Sequence, residues 1–374
     1  MKTLKIQEVA NQVRGVSYKP DDLHDSLNDS SVILLRANNI DDGKINFDDV
    51  VYVDKSKVSK EQYLKRGDIL VCASSGSKQL VGKAASVDFE TECTFGAFCK
   101  VVRPQEEFAR YLGKYFQSNT YRSKISAVAI GANINNIRNE HIDTLDLRVY
   151  DEAKNEEIVH VISCVQSIIE HRKQEIKKLD ELIKARFVEM FGDPIKNPKG
   201  WEVVTIGDVV TEVRYGTSKP AVEGGKYPYL RMNNLTVDGH LDLNDLKYID
   251  ISDDEIEKCV VRKGDVLFNR TNSIELVGKT AVFDLSEDMV IAGYIIRVRL
   301  NERLLPEILS QYMNLEALKD ILRSMAKGAV NQANINAQEL QNIKVYVPDM
   351  ELQKQFIEIK EQVDKSKVVL LSIK

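Results

Sequence analysis

The sequence has little of what builds a metal centre, a disulfide framework or a membrane span. It contains five cysteines and five histidines, scattered and without a Cys-x-x-Cys pair. We therefore expect reduced thiols and neither a zinc site nor any other metal site. No apolar run approaches the ~20 residues that a membrane helix needs, and Met1–Leu4 does not begin a signal peptide. These absences predict a cytoplasmic protein without a membrane partner.

An excess of positive charge is also missing. The formal net charge is −5. Residues 1–150 carry 21 basic and 20 acidic side chains, and residues 191–348 carry 19 and 23. Neither segment is a basic domain of the kind typical of nucleic-acid binders. Two explanations stay open for a chain that binds nucleic acid: its basic side chains are gathered on one face, or its partners supply further charge.

What the sequence does contain is an internal duplication. The matching segments are Leu35–Ile40 with Leu230–Leu235, residues 66–70 with 263–267, residues 80–83 with 276–279, and residues 14–20 with 214–220. The offset between partners stays between 195 and 200 residues. The matches are therefore ordered along two whole domains, and whatever surface one domain offers, the other offers in a related form.

The length agrees with two domains. A chain of 374 residues is too long for one ordinary core and suits two domains of roughly 150 residues with connecting material. We predict a first domain over 1–150, a central long helix over 151–195, a second domain over 196–348, and a shorter C-terminal helix over 349–374. Short strands, turns and a helix follow one another in each copy. The predicted fold class is thus α+β, with a small β-sheet and helices in each domain.

Both predicted long helices carry an apolar stripe. The first stripe comprises Ile158, Ile162, Val165, Ile169, Ile176, Leu179, Ile183 and Met190. The second comprises Leu352, Phe356, Ile359, Val363 and Leu370. Spacings that alternate between four and three residues are typical of a coiled coil, so we predict that the two helices pair as an antiparallel coiled coil and form a rod. The alternative is that each helix packs on its own domain.

Polar segments at equivalent places in both copies are candidates for contacts with nucleic acid. They are rich in short hydrogen-bonding side chains with a cation, the groups that reach phosphates and base edges. Because both copies keep polar donors there while the sequence changes around a preserved frame, binding is favoured over a plain surface loop. In the first copy the candidates are Arg14, Ser17, Tyr18, Lys19, Arg36, Asn38, Asn39, Ser74, Ser75, Ser77, Lys78, Asn133 and Asn135. In the second they are Arg214, Thr217, Ser218, Lys219, Arg231, Asn233, Asn234, Asn269, Arg270, Asn272, Ser273, Asn331 and Gln332.

One pair of these segments has an equally good structural explanation. Arg36 with Asn38 and Asn39, and the matching arginine and asparagines at 231–234, are also what a strand-end ion pair followed by an Asx turn requires. The sequence leaves both interpretations open.

Catalytic motifs are missing. Residues 277–280 (VGKT) resemble the end of a phosphate-binding loop, but Ser273 stands where the first glycine is required, so a strand turn is the better interpretation. Asp68 and Asp265 are expected to be turn residues. Residues 358–360 resemble part of a nuclease motif only superficially, because the central residue belongs to the apolar stripe. We therefore expect no catalytic residues in this chain.

A similarity to a known family lies in Arg186–Pro194 (RFVEMFGDP), which leads to Gly200–Glu202, together with the two Gly-Asp-[Ile/Val]-Leu turns and the two Leu-Val-Gly-Lys runs. In combination these motifs resemble the specificity subunits of type I restriction-modification systems, and the resemblance covers the whole chain. It implies two target-recognition domains that each read one half of a bipartite DNA target. It further implies that the paired helices dock two methyltransferase subunits and set the distance between the half-sites.

The resemblance also implies a larger complex with restriction and translocase subunits. S-adenosylmethionine, ATP and Mg are then expected on the partner subunits, and no cofactor is expected in this chain. The sequence thus predicts a non-catalytic DNA sequence-specificity subunit with double-stranded DNA as a partner. Two alternatives stay open: a helical-rod adaptor that binds proteins without sequence-specific DNA binding, and an enzyme with an unrecognised nuclease site. Co-purification with a methyltransferase, or metal-dependent cleavage by the lone chain, distinguishes them.

Overall fold

The chain forms two compact units, Met1–Ile169 and Glu170–Lys374. The computed structural model describes residues 1–77, 80–128, 135–329 and 332–372. Both units combine helices with small sheets, so the predicted α+β class with two tandem domains is confirmed. Among the described residues no helix has the length and apolar character needed to cross a membrane.

In its described residues, the first unit contains short strands and four complete helices. The strands are β1 (Lys2–Lys5), β2 (Ala10–Arg14), β3 (Leu23–His24), β4 (Ser31–Leu35), β5 (Ile40–Asp41), β6 (Lys44–Ile45), β7 (Val51–Asp54), β8 (Ile69–Cys72), β9 (Ser74–Ser75), β10 (Ala84–Ser86), β11 (Cys93–Phe95), β12 (Cys99–Pro104), β13 (Asn135–Asn136) and β14 (Asp146–Val149). The helices are α1 (Ile6–Val9), α2 (Ala109–Phe116), α3 (Asn119–Val128) and α4 (Asn139–Asp143), followed by the start of α5 (Glu152–Phe191).

Two four-stranded sheets organise this unit. One has the order β10-β8-β12-β2 and is antiparallel; the other has the order β11-β4-β7-β3, with β11 parallel to β4. Strand β8 is buried along its whole length. Its alternate residues point to opposite faces, and an apolar core covers each face. Ile69 and Val71 enter one apolar core, while Leu70 and Cys72 enter another. A strand with two buried faces reads as one continuous apolar run, as this one does.

The second unit repeats this plan. Its strands are β15 (Glu202–Thr205), β16 (Val210–Tyr215), β17 (Tyr227–Leu230), β18 (Lys247–Ile249), β19 (Val260–Val261), β20 (Val266–Asn269), β21 (Thr271–Asn272), β22 (Thr280–Val282), β23 (Met289–Ile291), β24 (Ile295–Leu300), β25 (Lys327–Ala329), β26 (Gln332–Asn334) and β27 (Lys344–Val347). Its complete helices are α6 (Asp253–Cys259), α7 (Pro306–Met313), α8 (Glu316–Met325), α9 (Ala337–Gln341) and α10 (Met350–Ser372).

The four-stranded sheets of the two units share most of their strand order. The order β16-β24-β20-β22 corresponds to β2-β12-β8-β10, and β18-β17-β23 corresponds to β7-β4-β11. The second sheets differ only in their fourth strand, which is β3 beside β7 in the first unit and β19 beside β23 in the second. A short terminal pair, β1 with β14 and β15 with β27, is also repeated. The duplication is therefore structural as well as sequential.

The strand register corrects one sequence match. Arg14 lies opposite Lys100, and the equivalent position opposite Ile296 is occupied by Tyr215. Strand β16 contains a bulge between Val210 and Glu212, and a bulge inserts one extra residue into a strand. Arg14 thus corresponds to Tyr215 and not, as the sequence suggested, to Arg214.

Helices α5 and α10 contact each other within the second unit. The Phe356 ring of α10 lies 5.2 Å from the Phe187 ring and 5.6 Å from the Phe191 ring, measured between centroids. Further along α10, the Lys367 ammonium pairs with the Asp180 carboxylate. Since higher residue numbers on α10 meet lower numbers on α5, the two helices run antiparallel where they touch.

The contacts correct the predicted helix stripe. Ile183 and Phe356 are buried, but the buried residues of α5 beside Phe356 are Phe187 and Phe191, which follow Ile183 at intervals of four. Ile162, Val165 and Ile169 are 37%, 50% and 50% exposed and are not part of a buried helix pair. The remaining predicted residues are half-buried: Ile158, Ile176, Leu179, Met190, Leu352, Ile359, Val363 and Leu370. A continuous coiled coil along all of α5 therefore stays a prediction.

Candidate nucleic-acid interface

In each unit the structure joins two polar segments that are far apart in sequence. Ser74 and Ser75 form β9 and pair with β13, Asn135–Asn136. In the second unit Thr271 and Asn272 form β21, which pairs with β26. Both small sheets begin directly beyond a fully buried strand, β8 or β20. The buried core strands thus position the polar segments at the equivalent place in both units.

A short turn between two strands ties further candidate segments to this place. The turn, residues 96–98 in the first unit and 292–294 in the second, is here called the aromatic turn because it ends in Phe98 or Tyr294. The backbone N–H groups of Ala73 and Ser74 donate to the Phe98 carbonyl at 2.9 and 3.0 Å. In the second unit the N–H of Arg270 donates to the Tyr294 carbonyl at 2.9 Å.

The segments after β2 and β16 lie against the same turn. The N–H of Ala97 donates to the Val16 carbonyl at 2.9 Å, and the N–H of Gly293 donates to the Thr217 carbonyl at 2.7 Å. Glycine is required for this approach, because a Cβ on Gly15 or on Gly216 would lie 2.1 Å from a carbonyl oxygen of the turn region. Ser17, Lys19, Ser218 and Lys219, in these two segments, are exposed.

The segments after β4 and β17 complete the arrangement, and here several predictions need correction. The N–H of Gly96 donates to Leu35, and the N–H of Ala292 donates to Leu230, both at 2.9 Å. The turns that follow are held by buried asparagines: the Asn39 and Asn234 side-chain oxygens each accept the N–H of the arginine three residues earlier, at 2.8 Å. Both asparagines are at most 1% exposed. They are structural residues of an Asx-type turn and cannot reach DNA.

The arginines of these turns make ion pairs. Arg36 donates through Nη2 to the Asp49 carboxylate at 2.8 Å, and Arg231 donates to the Asp245 carboxylate at 2.7 Å. The strand-end explanation therefore accounts for their geometry. The neighbouring Asn38 and Asn233 are exposed, and these remain the candidate contact residues of the two turns.

One further candidate proves to be buried. The Asn269 amide donates to the carbonyls of Thr271 and Tyr294, both at 3.1 Å, and the residue is fully buried. Its predicted contact role is corrected, because both amide hydrogens are used inside the fold. Arg270, the next residue, is half-buried, and its guanidinium lies over the Tyr215 ring at 4.9 Å.

The other candidates lie on or near this surface. Arg14 and Ser77 are exposed, Tyr18 and Ser273 are half-buried, and Ser75 accepts the Ser77 N–H at 3.2 Å. Several side chains are engaged within the unit: Ser74 with Asn136, Arg214 with Glu212, Thr217 with the Lys219 N–H, Lys219 with Glu255, and Asn272 with Asn269. Lys78, Asn133 and Asn331 lie outside the described residues, and only the backbone is described for Asn135 and Gln332.

The residues that resembled catalytic motifs have structural partners. Lys279 is buried and donates to the carbonyls of Met232 and Leu235, and burial lowers the pKa of its ammonium. Asp265 accepts the N–H of Arg262 at 2.9 Å and Arg299 Nε at 2.8 Å, and Asp68 makes the same two kinds of bond. The interpretation of these residues as turn residues is confirmed.

One group of side chains has the composition of a metal site. Donor atoms of Asp180, Asp238 and His240 lie within 4.8 Å of one another. Among the described residues, this is the group of histidine, cysteine or acidic side chains close enough together to hold a metal ion. However, the Asp180 carboxylate already pairs with Lys367. Because the ammonium of Lys367 already neutralises one of the two carboxylates, we assign no metal to this group.

The sequence search missed the aromatic turn. Phe98 and Tyr294 are 68% and 49% exposed, and both immediately precede the strand that lies at the centre of its sheet, β12 or β24. No identical motif marks them. The available signal was an aromatic residue repeated at an offset of 196 residues, within the range of the other matches.

Comparisons with known proteins agree with this architecture. Residues 198–372 match the family described as type I restriction modification DNA specificity domain. The specificity subunit of the type I restriction enzyme EcoKI from Escherichia coli K12 is 29% identical, with 96% of this chain and 80% of that protein covered. The StySPI specificity subunit from Salmonella potsdam is 26% identical, with 96% and 81% covered.

A solved structure has the same fold. It comes from work on complex assembly and conformational transition of a type I restriction-modification system, and it matches with a TM-score of 0.52 at 18% identity, covering 99% of this chain and 91% of that one. At an identity of 18%, the match shows a similar fold and nothing about function. By sequence, the chain is similar to type I restriction enzyme specificity subunits over nearly its whole length, and its residues 198–372 match their DNA specificity domain.

Proposed function

We propose that this chain is the DNA sequence-specificity subunit of a type I restriction-modification enzyme and that it reads a bipartite target. The observation that carries the proposal is the repeated surface around the aromatic turn. In each unit the same backbone hydrogen bonds gather segments that are distant in sequence. Side chains on this frame differ between the units: Tyr18 corresponds to Lys219, and Phe98 corresponds to Tyr294. A common frame with different side chains suits two readers of different half-sites.

We further propose that the chemistry belongs to partner subunits. Two methyltransferase subunits would dock on the long helices, restriction and translocase subunits would join the complex, and S-adenosylmethionine, ATP and Mg would bind to those partners. A protein-binding role for α5 is supported by Val161, Ile162, Val165, Ile168 and Ile169, which are 37% to 58% exposed on that helix. Large exposed apolar patches commonly mark interaction sites.

The exchange of one domain tests the proposal. Residues 1–150 are replaced by the corresponding domain of a specificity subunit with a different target, and methylated sites are mapped in DNA from cells that carry the hybrid with its methyltransferase. We expect one half-site to change and the other to stay. A map in which both halves change would refute the model of two independent readers.

The adaptor alternative makes a different prediction in the same experiment. The exposed apolar residues of α5 fit any protein partner, so the identity of the co-purified partner is complemented here by a direct readout of sequence-specific DNA binding. An adaptor without sequence-specific DNA binding would leave the methylation map unchanged when the first domain is exchanged. Such a result, with the methyltransferase still bound to the hybrid, would favour the adaptor.

A further inference from the structure

Each unit presents an aromatic ring at the same point of its frame. Phe98 is 68% exposed, which is high for a phenylalanine, and Tyr294 is 49% exposed. The two residues are equivalent because each immediately precedes the strand, β12 or β24, that pairs with β8 or β20. Exposure of a large aromatic side chain is unfavourable in water. Its repetition in both units calls for a common explanation.

The ring is positioned by the backbone that holds the candidate contact segments together. In the first unit the aromatic turn is bonded to Val16, Leu35, Ala73 and Ser74, and in the second unit the equivalent bonds reach Thr217, Leu230 and Arg270. A further backbone bond links Ala73 to Ile137, and its counterpart links Arg270 to Ile335. Phe98 and Tyr294 therefore stand at the centre of the segments that carry the exposed polar residues.

The surroundings of the ring combine apolar and polar groups. In the first unit a cavity of about 450 Å³ is lined by Phe98 and Tyr18 together with Arg36, Asn38 and Ser74. In the second unit the carbonyl of Tyr294 accepts the N–H of Arg270, whose guanidinium lies over the Tyr215 ring. An aromatic ring beside arginine and asparagine side chains, as in the first unit, matches the edge of a base pair, which presents acceptors and donors next to an apolar carbon edge.

We propose that Phe98 and Tyr294 are equivalent apolar base contacts, one in each half-site, and that each ring packs against the C5 edge of a pyrimidine, where thymine carries its methyl group. This inference rests on the proposed function, since it assumes that the surface around the aromatic turn faces duplex DNA. The neighbouring polar side chains then form hydrogen bonds with the base edges. The ring packs against the apolar edge of the base and excludes water from this contact. A protein partner is the less suitable occupant, because Arg36, Asn38 and Ser74 beside the Phe98 ring are of the kinds that contact bases and phosphates.

The first test is photochemical. The complex is purified through a tag on this chain and bound to duplex DNA with a randomised central sequence in which 5-iodouracil replaces thymine. After irradiation, cross-linked peptides are identified by mass spectrometry. We expect adducts on Phe98 and on Tyr294. Adducts confined to other residues of the same surface, or specific binding without any adduct on the two aromatic residues, would overturn the inference while leaving the proposed function intact.

The second test uses variants of the full chain. Replacement of Phe98 or Tyr294 by alanine should weaken binding to the target duplex about tenfold, and each change should relax one half-site of the methylation map. Phe98→Leu and Tyr294→Phe keep the apolar contact and should retain most of the affinity. Val203→Ala is a matched control, because Val203 is 53% exposed but lies on β15, outside this surface.

The outcomes separate the inference from the function on which it rests. Alanine variants that bind and methylate like the wild type, while the domain exchange still alters one half-site, would refute the role of the aromatic residues alone. A complex that shows no sequence preference in binding the randomised DNA would refute the proposed function and the inference with it. Circular dichroism of each variant checks that the fold is retained.

Discussion

The contact between α5 and α10 can be tested through one phenylalanine. Phe356 is fully buried and touches the rings of Phe187 and Phe191 with centroids 5.2 and 5.6 Å away. Removal of a buried phenylalanine side chain costs about 3–5 kcal/mol of stability, and each aromatic pair contributes about 0.5–1.5 kcal/mol beyond burial. We therefore expect Phe356→Ala to lower the free energy of unfolding of the second unit by about 3–5 kcal/mol.

The chain provides its own probe for this measurement. Trp201 is the single tryptophan of the sequence, and its indole Nε1 donates to the Phe191 carbonyl at 2.8 Å. Urea unfolding followed by tryptophan fluorescence thus reports on the second unit close to the helix contact. A double-mutant cycle with Phe187→Ala should give a coupling of about 0.5–1.5 kcal/mol.

The matched control lies on the exposed part of the same helix. Ile169 is 50% exposed, so Ile169→Asp should change stability by no more than about 0.5 kcal/mol, although it is expected to weaken the binding of a methyltransferase. The reasoning would be refuted if Phe356→Ala cost less than about 1 kcal/mol, or if Ile169→Asp were equally destabilising. Either result would mean that the helices are held together by residues other than the aromatic cluster.

Three further predictions follow from other parts of the structure. Burial lowers the pKa of Lys319 to about 7. The unfolded chain keeps this proton up to the ordinary pKa of lysine, so the free energy of unfolding should rise with pH above 7 by at most about 1.4 kcal/mol per pH unit. Lys319→Met should remove this slope in urea unfolding measured between pH 6 and 10. Asn234→Ala should destabilise the second unit by about 1–3 kcal/mol while the methylated sequence stays the same, since the side chain is buried; a changed map would contradict this. Four residues inserted between 173 and 178 lengthen α5 by about 6 Å, so the methylated gap should grow by one or two base pairs, and retention of the original gap would exclude α5 as the spacer.

Much of the architecture could be predicted because the duplication is a pattern on the scale of whole domains. Ordered matches between residues 35–40 and 230–235, and between 66–70 and 263–267, require two copies of one frame whatever the details of either copy. Strand β8 is also recognisable from the sequence, since a strand with two buried faces is a continuous apolar run. These signals depend on many residues at once and are insensitive to local register.

The individual contact residues depend on register and were predicted less well. Asn38 and Asn39 are adjacent residues of one type, yet one is exposed and the other is fully buried as the turn acceptor. Composition cannot distinguish them, because the difference arises from the direction of each side chain in a single turn. The bulge at Val210 similarly shifted the match of Arg14 by one residue.

The helix stripe shows a different limit. Heptad spacing predicted Ile183 followed by Met190, whereas Ile183, Phe187 and Phe191 are the buried residues. This end of α5 packs into the core of the second unit, beside residues such as Phe268 and Tyr346, as well as on α10. A helix in a globular core follows the 3.6-residue period of its own geometry, whereas the 3.5-residue period belongs to supercoiled pairs.

The division between buried frame and exposed surface explains how one fold can serve different targets. Two buried features recur in both units: Asn39 or Asn234, and Asp68 or Asp265, whose carboxylates pair with arginines of the central strands. Loss of such a partner leaves a buried polar group unsatisfied at about 1–3 kcal/mol, whereas substitutions at exposed positions usually change stability by about 0.5 kcal/mol or less. Exposed residues around the aromatic turn can therefore be exchanged without unfolding the unit. Because DNA contacts are concentrated there in the proposed function, a new half-site requires changes only where the fold tolerates them.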